Sequence, residues 1–369
     1  MKQIKRYSLA FILLLLLFSQ KGMAQSDQLF DRNYIKATLL KVADWQLKHS
    51  NGQTENSWTN GAFYTGVMAA YKTTKSPVLL DSLMAIGNRH NWLPEKRFDH
   101  ADDIVISQTY LDLFRLKKDG GMIQPTIDSV NKMRTTPGKE VKNHGITWWW
   151  CDALFMAPPT LAKIAAIKKD PSYLVLNDTL FHQTYRLLYN QKEHLFARDA
   201  TYLVDANGNG KKEANGQKVF WSRGNGWVMA GLARLLQEMP KNYGGRAFYV
   251  NLFKEMSARL ITLQQPDGLW RTSLLDPASY AGGEGSGTGF YCFALAWGIN
   301  NKILDKATYL PVVQKSWTAL TGIVTTEGKV GWVQPIGADP RKNFNSESWE
   351  SYGAGAFMLA GSEVIKLKK

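Results

Sequence analysis

Trp148-Trp149-Trp150-Cys151-Asp152-Ala153-Leu154-Phe155-Met156-Ala157-Pro158-Pro159 joins three consecutive tryptophans to one carboxylate and an apolar run, which continues through Leu161-Ala162-Lys163-Ile164-Ala165-Ala166. The pattern is a Gly-, Asp- or Trp-rich turn that opens into a helix of small and large apolar residues, and it occurs six times along the chain. The other five openings are Trp58-Thr59-Asn60-Gly61-Ala62-Phe63, running to Tyr71; His100-Ala101-Asp102-Asp103-Ile104, running to Phe114; Trp221-Ser222-Arg223-Gly224-Asn225-Gly226-Trp227, running to Leu236; Glu284-Gly285-Ser286-Gly287-Thr288-Gly289-Phe290, running to Ile299; and Ser351-Tyr352-Gly353-Ala354-Gly355-Ala356-Phe357, running to Val364. Between them lie helices of amphipathic period, with apolar residues recurring every three or four positions: Tyr34 to His49, Pro77 to Arg89, Pro125 to Met133, Tyr173 to Leu188, Ala247 to Leu263 and Tyr309 to Leu320. Nearly apolar helices alternating with amphipathic ones predict an inner ring wrapped by an outer ring. Six inner helices make an all-α (α/α)6 barrel, a six-hairpin toroid, in one domain covering residues 25–369. An ordinary all-α globule with six Gly-rich turns is the competing arrangement, and the repeat count favours the barrel.

If the openings gather at one end of the barrel, their polar side chains face a common mouth. Asp152 then has two readings. As a helix cap it satisfies backbone N–H groups, a role Asp fills well. As an acid among tryptophans it loses solvation, so its pKa rises and it holds a proton near neutral pH. Asp102 and Asp103 diverge by about 100° on a helix, so one caps while the other faces the axis. A carboxylate from that opening near Asp152 makes a pair that splits acid and base roles. Arg223, beside two glycines at a helix start, suits a bidentate grip on a carboxylate, with an ion pair to a structural acid as the competing role. Trp227, Trp148 and Trp150 are candidates to wall a sugar pocket, and Arg198 to add a further polar contact there.

Residues 1–24 read as a secretory signal peptide: Lys2, Lys5 and Arg6, then apolar Leu9 to Phe18, then Gly22-Met23-Ala24 before Gln25. The apolar run is short for a membrane span and no Cys follows it, so an exported protein, periplasmic or secreted and without membrane anchor, is expected. Loss of Lys2, Lys5, Arg6 and Lys21 lowers the formal charge from +14 to +10. Basic residues are scattered rather than clustered, which argues against nucleic acid and, with export, favours an acidic glycan. Cys151 and Cys292 are too few for a disulfide framework and read as buried thiols. His100, His144 and His194 lack metal-ligand spacing, no phosphate or dinucleotide loop is present, and Asp205-Ala206-Asn207-Gly208-Asn209-Gly210 lacks the Glu that a calcium loop needs. No metal or cofactor is therefore expected, and the stretch from Asp205 to Lys218 reads as a hairpin-like turn.

The segment around Asp152 resembles the catalytic segment of the glycoside hydrolase family 105 unsaturated uronyl hydrolases. Ala101-Asp102-Asp103 with Gln108-Thr109-Tyr110, Phe220 to Trp227, Asp267-Gly268-Leu269-Trp270, Gly331 to Gly337 and the Tyr352 to Phe357 helix continue the likeness in order. The resemblance implies an (α/α)6 barrel that removes the 4,5-unsaturated uronic acid left on oligosaccharides by polysaccharide lyases, here from rhamnogalacturonan. It implies that Asp152 protonates C4 and then helps water attack C5, assisted by one aspartate of the Asp102-Asp103 pair, with Asp102 favoured by its place in the motif. Two departures stand out. Gly285 occupies a position where these relatives carry Thr or Ser, which predicts a looser loop or an altered polar contact, and Arg198 lies near where some members place a histidine. An inverting glycosidase on saturated glycans and a non-catalytic glycan-binding protein are the competing functions.

Overall fold

The computed structural model describes residues 28–135 and 145–367; the leader-like residues 1–24 and His144 lie outside them. Helix starts follow local chemistry. Asp31 opens α1 (Arg32–Lys48) by accepting from the backbone N–H groups of Asn33 and Tyr34 at 2.8 and 3.0 Å. A proline, whose missing N–H costs nothing in a first turn, begins α3 (Pro77–Arg89). The remaining outer helices are α5 (Gln124–Thr135), α8 (Ser172–Leu188), α10 (Arg246–Ile261) and α12 (Lys306–Gly322). Each buries one stripe; in α1 it is Ile35, Thr38, Leu39, Val42, Ala43 and Gln46.

Six further helices form the inner ring: α2 (Trp58–Thr74), α4 (Ser107–Lys117), α7 (Pro158–Lys168), α9 (Ser222–Glu238), α11 (Gly285–Asn300) and α13 (Ser351–Val364). A one-turn helix, α6 (Ala153–Met156), precedes α7. Inner helices are buried almost all round; every residue of α13 is buried. Each contacts the next in chain order, and α13 returns to α2, closing an (α/α)6 barrel. At that seam a Cβ on Gly66 would lie 2.4 Å from the Gly355 carbonyl oxygen, so the close approach of the two helices requires glycine.

Two inner elements depart from the sequence pattern. The second opening is a 3-10 turn, Ala101–Ile104, and α4 begins only at Ser107. The third is broken at Ala157, because Pro158 and Pro159 offer no N–H to the carbonyls of the preceding turn. The Gln108 side chain fills the gap, donating to the Phe155 and Met156 carbonyls at 2.8 and 3.2 Å. A two-stranded antiparallel ribbon, β1 (Tyr189–Asn190) with β2 (Leu195–Phe196), follows α8, and the Asn225 side chain of α9 ties down Phe196 by accepting from its N–H at 2.8 Å and donating to its carbonyl at 3.0 Å. Beyond β2 the chain runs beside the Trp148 segment: Trp150 bridges Asp199, and Cys151 N–H donates to the Arg198 carbonyl at 2.8 Å. Among the described residues no helix is long and apolar enough to cross a membrane.

Candidate active site

Asp152 immediately precedes α6, yet its carboxylate makes no capping bond to that helix. It is 8% exposed and sits among the side chains of the mouth. Burial is the main force on it and raises its pKa, while the Arg198 and Arg223 charges pull the other way. Arg198 Nε lies 3.5 Å from Asp152 Oδ2, and the Cys151 thiol points its weak donor at the same oxygen from 3.5 Å. The backbone bond from Cys151 and the Trp150–Asp199 bridge hold Arg198 there, and Asp199 fixes its other end at 2.8 Å. Arg198 also lies over the Trp149 ring at 5.5 Å.

The paired aspartates separate cleanly. Asp103 accepts four contacts from Arg97, including the backbone N–H at 2.7 Å and Nη2 at 2.6 Å. Asp102 makes no such arginine contact among the described residues: its Oδ2 lies 3.9 Å from His100 Nδ1, and its Oδ1 is buried without a hydrogen bond. Burial first, and the Asp152 charge second, push its carboxyl up to about 7. Burial raises both Asp102 and Asp152, and the Asp152 charge raises Asp102 further, so the two acids hold their protons unequally, whereas Asp103 is spent on holding the loop.

Arg223 is 1% exposed and is clamped between Trp221 and Tyr352, 4.5 and 4.8 Å from their ring centres. Its terminal nitrogens donate to the carbonyls of Gln334 and, at 3.0 Å, Pro335, leaving Nε buried without a partner. The fork expected to grip a carboxylate is thus partly committed to backbone. Gln334 organises this corner: its carbonyl also accepts from Tyr352 at 2.8 Å, and its side chain contacts Trp221 Nε1 at 3.3 Å. Its own N–H reaches Glu284, which caps α11 and takes the Ser286 hydroxyl at 2.6 Å. Glu350, at the start of α13, adds a third carboxyl that burial raises and Arg223 pulls down. Sequence reasoning missed Glu284, Gln334 and Glu350 as site residues; only Glu284, an acid followed by Ser and Gly at a helix start, carries a local capping signal.

Three expectations are corrected. Trp148 and Trp227 are both 0% exposed and lie in the core, Trp227 packed among Phe155, Phe290, Tyr352 and Trp58, so neither walls a sugar pocket. Trp150, 3% exposed, packs against His100 in a tilted arrangement at 4.6 Å, and the partly exposed member of the triplet is Trp149. The Gly285 loop is tight rather than loose: its N–H donates to the Trp332 carbonyl at 2.7 Å, and a Cβ would meet Ile323 Cδ1 at 2.9 Å. Both cysteines are buried thiols. The 205–218 stretch folds as turns, with Asp205 Oδ1 accepting from the N–H groups of Asn207 and Asn209, and Lys212 bridging Lys218.

Comparison with known proteins agrees with this geometry. The profile of Glycosyl Hydrolase Family 88 matches residues 34–368. A curated relative from Formosa agariphila, named unsaturated 3S-rhamnoglycuronyl hydrolase, is 43% identical over 96% of this chain and 94% of its own. A solved structure described as a family 88 glycosyl hydrolase from Bacteroides vulgatus superposes with a TM-score of 0.83 at 29% identity, covering 91% of this chain and 99% of that one. Another, described as a polysaccharide lyase, gives a TM-score of 0.83 at 31% identity, covering 90% and 97%.

Proposed function

Because the chain belongs to Glycosyl Hydrolase Family 88, we propose that it removes a 4,5-unsaturated uronic acid from the non-reducing end of oligosaccharides, by hydrating the vinyl ether double bond. The observation that carries this reading is Asp152, a buried carboxyl with raised pKa, no capping bond and a second raised acid in Asp102. Protonated Asp152 delivers its proton to C4, and the ring oxygen shares the positive charge left at C5. Water adds to C5 and returns a proton to the Asp152 carboxylate. The hemiketal so formed opens and releases the neighbouring sugar. Asp102, whose carboxyl is raised to about 7 by burial and by the Asp152 charge, keeps its proton as Asp152 becomes a carboxylate and orients the water. Arg198 stabilises the carboxylate form of Asp152, and the mouth residues Arg223, Arg198 and Trp149 receive the uronate and its sugar ring.

The 43% identical relative is named for a 3S-rhamnoglycuronyl unit, which supports a uronyl–rhamnose substrate of that kind ahead of the rhamnogalacturonan fragment. Incubation with lyase digests of ulvan, pectin and glycosaminoglycans tests the reading: the ultraviolet absorbance of the double bond falls on a uronyl–rhamnose digest. Persistence of that absorbance on every digest refutes it. The relative described as a lyase supplies a second reading, in which the double bond is made rather than consumed, so absorbance on the intact polysaccharide would rise. We place the reaction outside the cytoplasm on the strength of the leader-like residues 1–24; a secreted or periplasmic product whose first residue is Gln25 supports this, and a cytoplasmic product retaining Met1 overturns it.

A further inference from the structure

The openings carry Asp102 and Asp152; the opposite end of the barrel, where the inner helices finish, holds a solvent-open cavity of about 420 Å³. Its charged lining is Arg32, Lys72, Asp112, Arg234, Glu363 and Lys366. The acids there are already engaged. Asp112 holds Lys163 at 2.7 Å and Lys72 at 3.1 Å, and Glu363 holds Lys366 at 2.6 Å and Asn300 Nδ2 at 2.8 Å. The arginines are not. Arg234 is 7% exposed; its Nε donates to Gln108 Oε1 at 2.7 Å, but its two terminal nitrogens make no hydrogen bond or ion pair with any described residue. Arg32, at the rim, donates to the Ile365 carbonyl at 3.0 Å and has no acid partner among the described residues.

A guanidinium this deeply buried, with its outward donors unspent, is a costly arrangement unless something in the cavity meets it. Water satisfies the donors but offsets no charge, and the Asp112 and Glu238 charges reach the guanidinium only from beyond ion-pair distance. A planar or tetrahedral oxyanion does both, because its paired oxygens match the guanidinium fork. The cavity is polar and wide enough for such a group, and Lys72 and Lys366 add positive charge at its walls. The engaged carboxylates of Asp112 and Glu363 set the limits of the anion's seat by repulsion. We infer that this basal cavity is a binding site for a small oxyanion of the sulfate, phosphate or carboxylate type, held on Arg234 and Arg32.

The probe is selenate, soaked into crystals of the full chain and located by its anomalous scattering, with a thermal-shift titration at constant ionic strength in parallel. The site predicts an anomalous peak against the terminal nitrogens of Arg234 and a saturating rise in Tm. Arg32→Gln, an exposed change, weakens half-saturation by about fivefold through the loss of one charge-assisted contact. Arg234→Lys keeps the charge but removes the fork, and abolishes the peak; if that variant fails to fold, the peak and Arg32→Gln still decide. Selenate found only at the mouth beside Arg198 or Arg223, a titration that does not saturate, or an Arg32→Gln curve superimposable on the wild type overturns the inference. Replacing selenate by phosphate or acetate in the same titration identifies which oxyanion binds best.

Discussion

At the scale of single residues, the chemistry rests on how unequal environments divide the carboxyls of the mouth. Asp152→Asn leaves shape and burial intact and removes the proton donor, so turnover falls by roughly 10³-fold with circular dichroism and Tm unchanged in form; a variant with near-normal turnover removes Asp152 from the acid role. Asp102 makes a separate prediction through stability. Its carboxyl, raised to about 7, binds a proton more tightly in the folded state than in the unfolded one. The Asp102 contribution to stability is therefore full below about pH 4, declines as pH rises to about 7, and has nothing further to lose above. Asp102→Asn removes that contribution, and urea unfolding should show the variant more stable by on the order of 4 kcal/mol above pH 7 and nearly equal near pH 4. Arg198 lowers the Asp152 pKa, so Arg198→Met shifts the alkaline limb of kcat/KM to higher pH as the acid keeps its proton longer; an unmoved limb would disconnect the two residues. The carboxylates were legible from sequence because a charged group among aromatics is conspicuous. Which of Asp102 and Asp103 is spent structurally was not, since it hangs on the Arg97 contacts, and neither was which of three adjacent tryptophans turns inward.

At the scale of elements, every outer helix and four of the six inner ones begin and end within a few residues of the apolar pattern. Repetition is what made them legible: a single amphipathic window is ambiguous, but six alternations are not. The exceptions are where backbone and side chain trade donors. Pro158 and Pro159 break the third inner element, and Gln108, forty-seven residues from Phe155 in sequence, repairs it. No local window reveals such a repair. Gln108→Leu strands the Phe155 and Met156 carbonyls together with Arg234, and should cost about 2–4 kcal/mol in urea unfolding; a cost under about 1 kcal/mol would mean that the gap is otherwise filled. Gly285→Thr restores the residue type expected at that position but crowds Ile323 and the Gly331 carbonyl, so a loss of about 1–3 kcal/mol is expected here unless the loop shifts.

At the scale of the molecule, a buried ion network ties the bases of three inner helices. Lys163 bonds Asp112 and Glu238 at 2.7 and 2.9 Å, and Arg115 meets Glu238 at 2.7 Å. Neighbouring cations hold Glu238 down to about 2 and Asp112 lower still, against the opposing effect of burial. Depressed acids stabilise the fold above their ordinary range near 4, and that support is lost as pH falls from about 5 toward 2. Lys163→Met leaves both acids without their shared cation and should cost about 3–5 kcal/mol at neutral pH, a deficit that shrinks on acidification as the acids neutralise; a pH-independent deficit would assign the loss to packing instead. The ring seam has a different consequence, for the order in which the molecule comes into being. Asn51 donates to the Ser351 hydroxyl across 300 residues of chain, beside the Gly66–Gly355 approach. Closing a loop of that length carries an entropic cost on the order of 5 kcal/mol, met only when the last helix arrives. Asp102 and Asp152 are both synthesised well before then, so the acids exist in the growing chain long before the mouth that tunes them does. A nascent chain halted before Ser351 would hold every proposed catalytic group and still lack an intact ring, so catalytic competence should appear late in synthesis and abruptly.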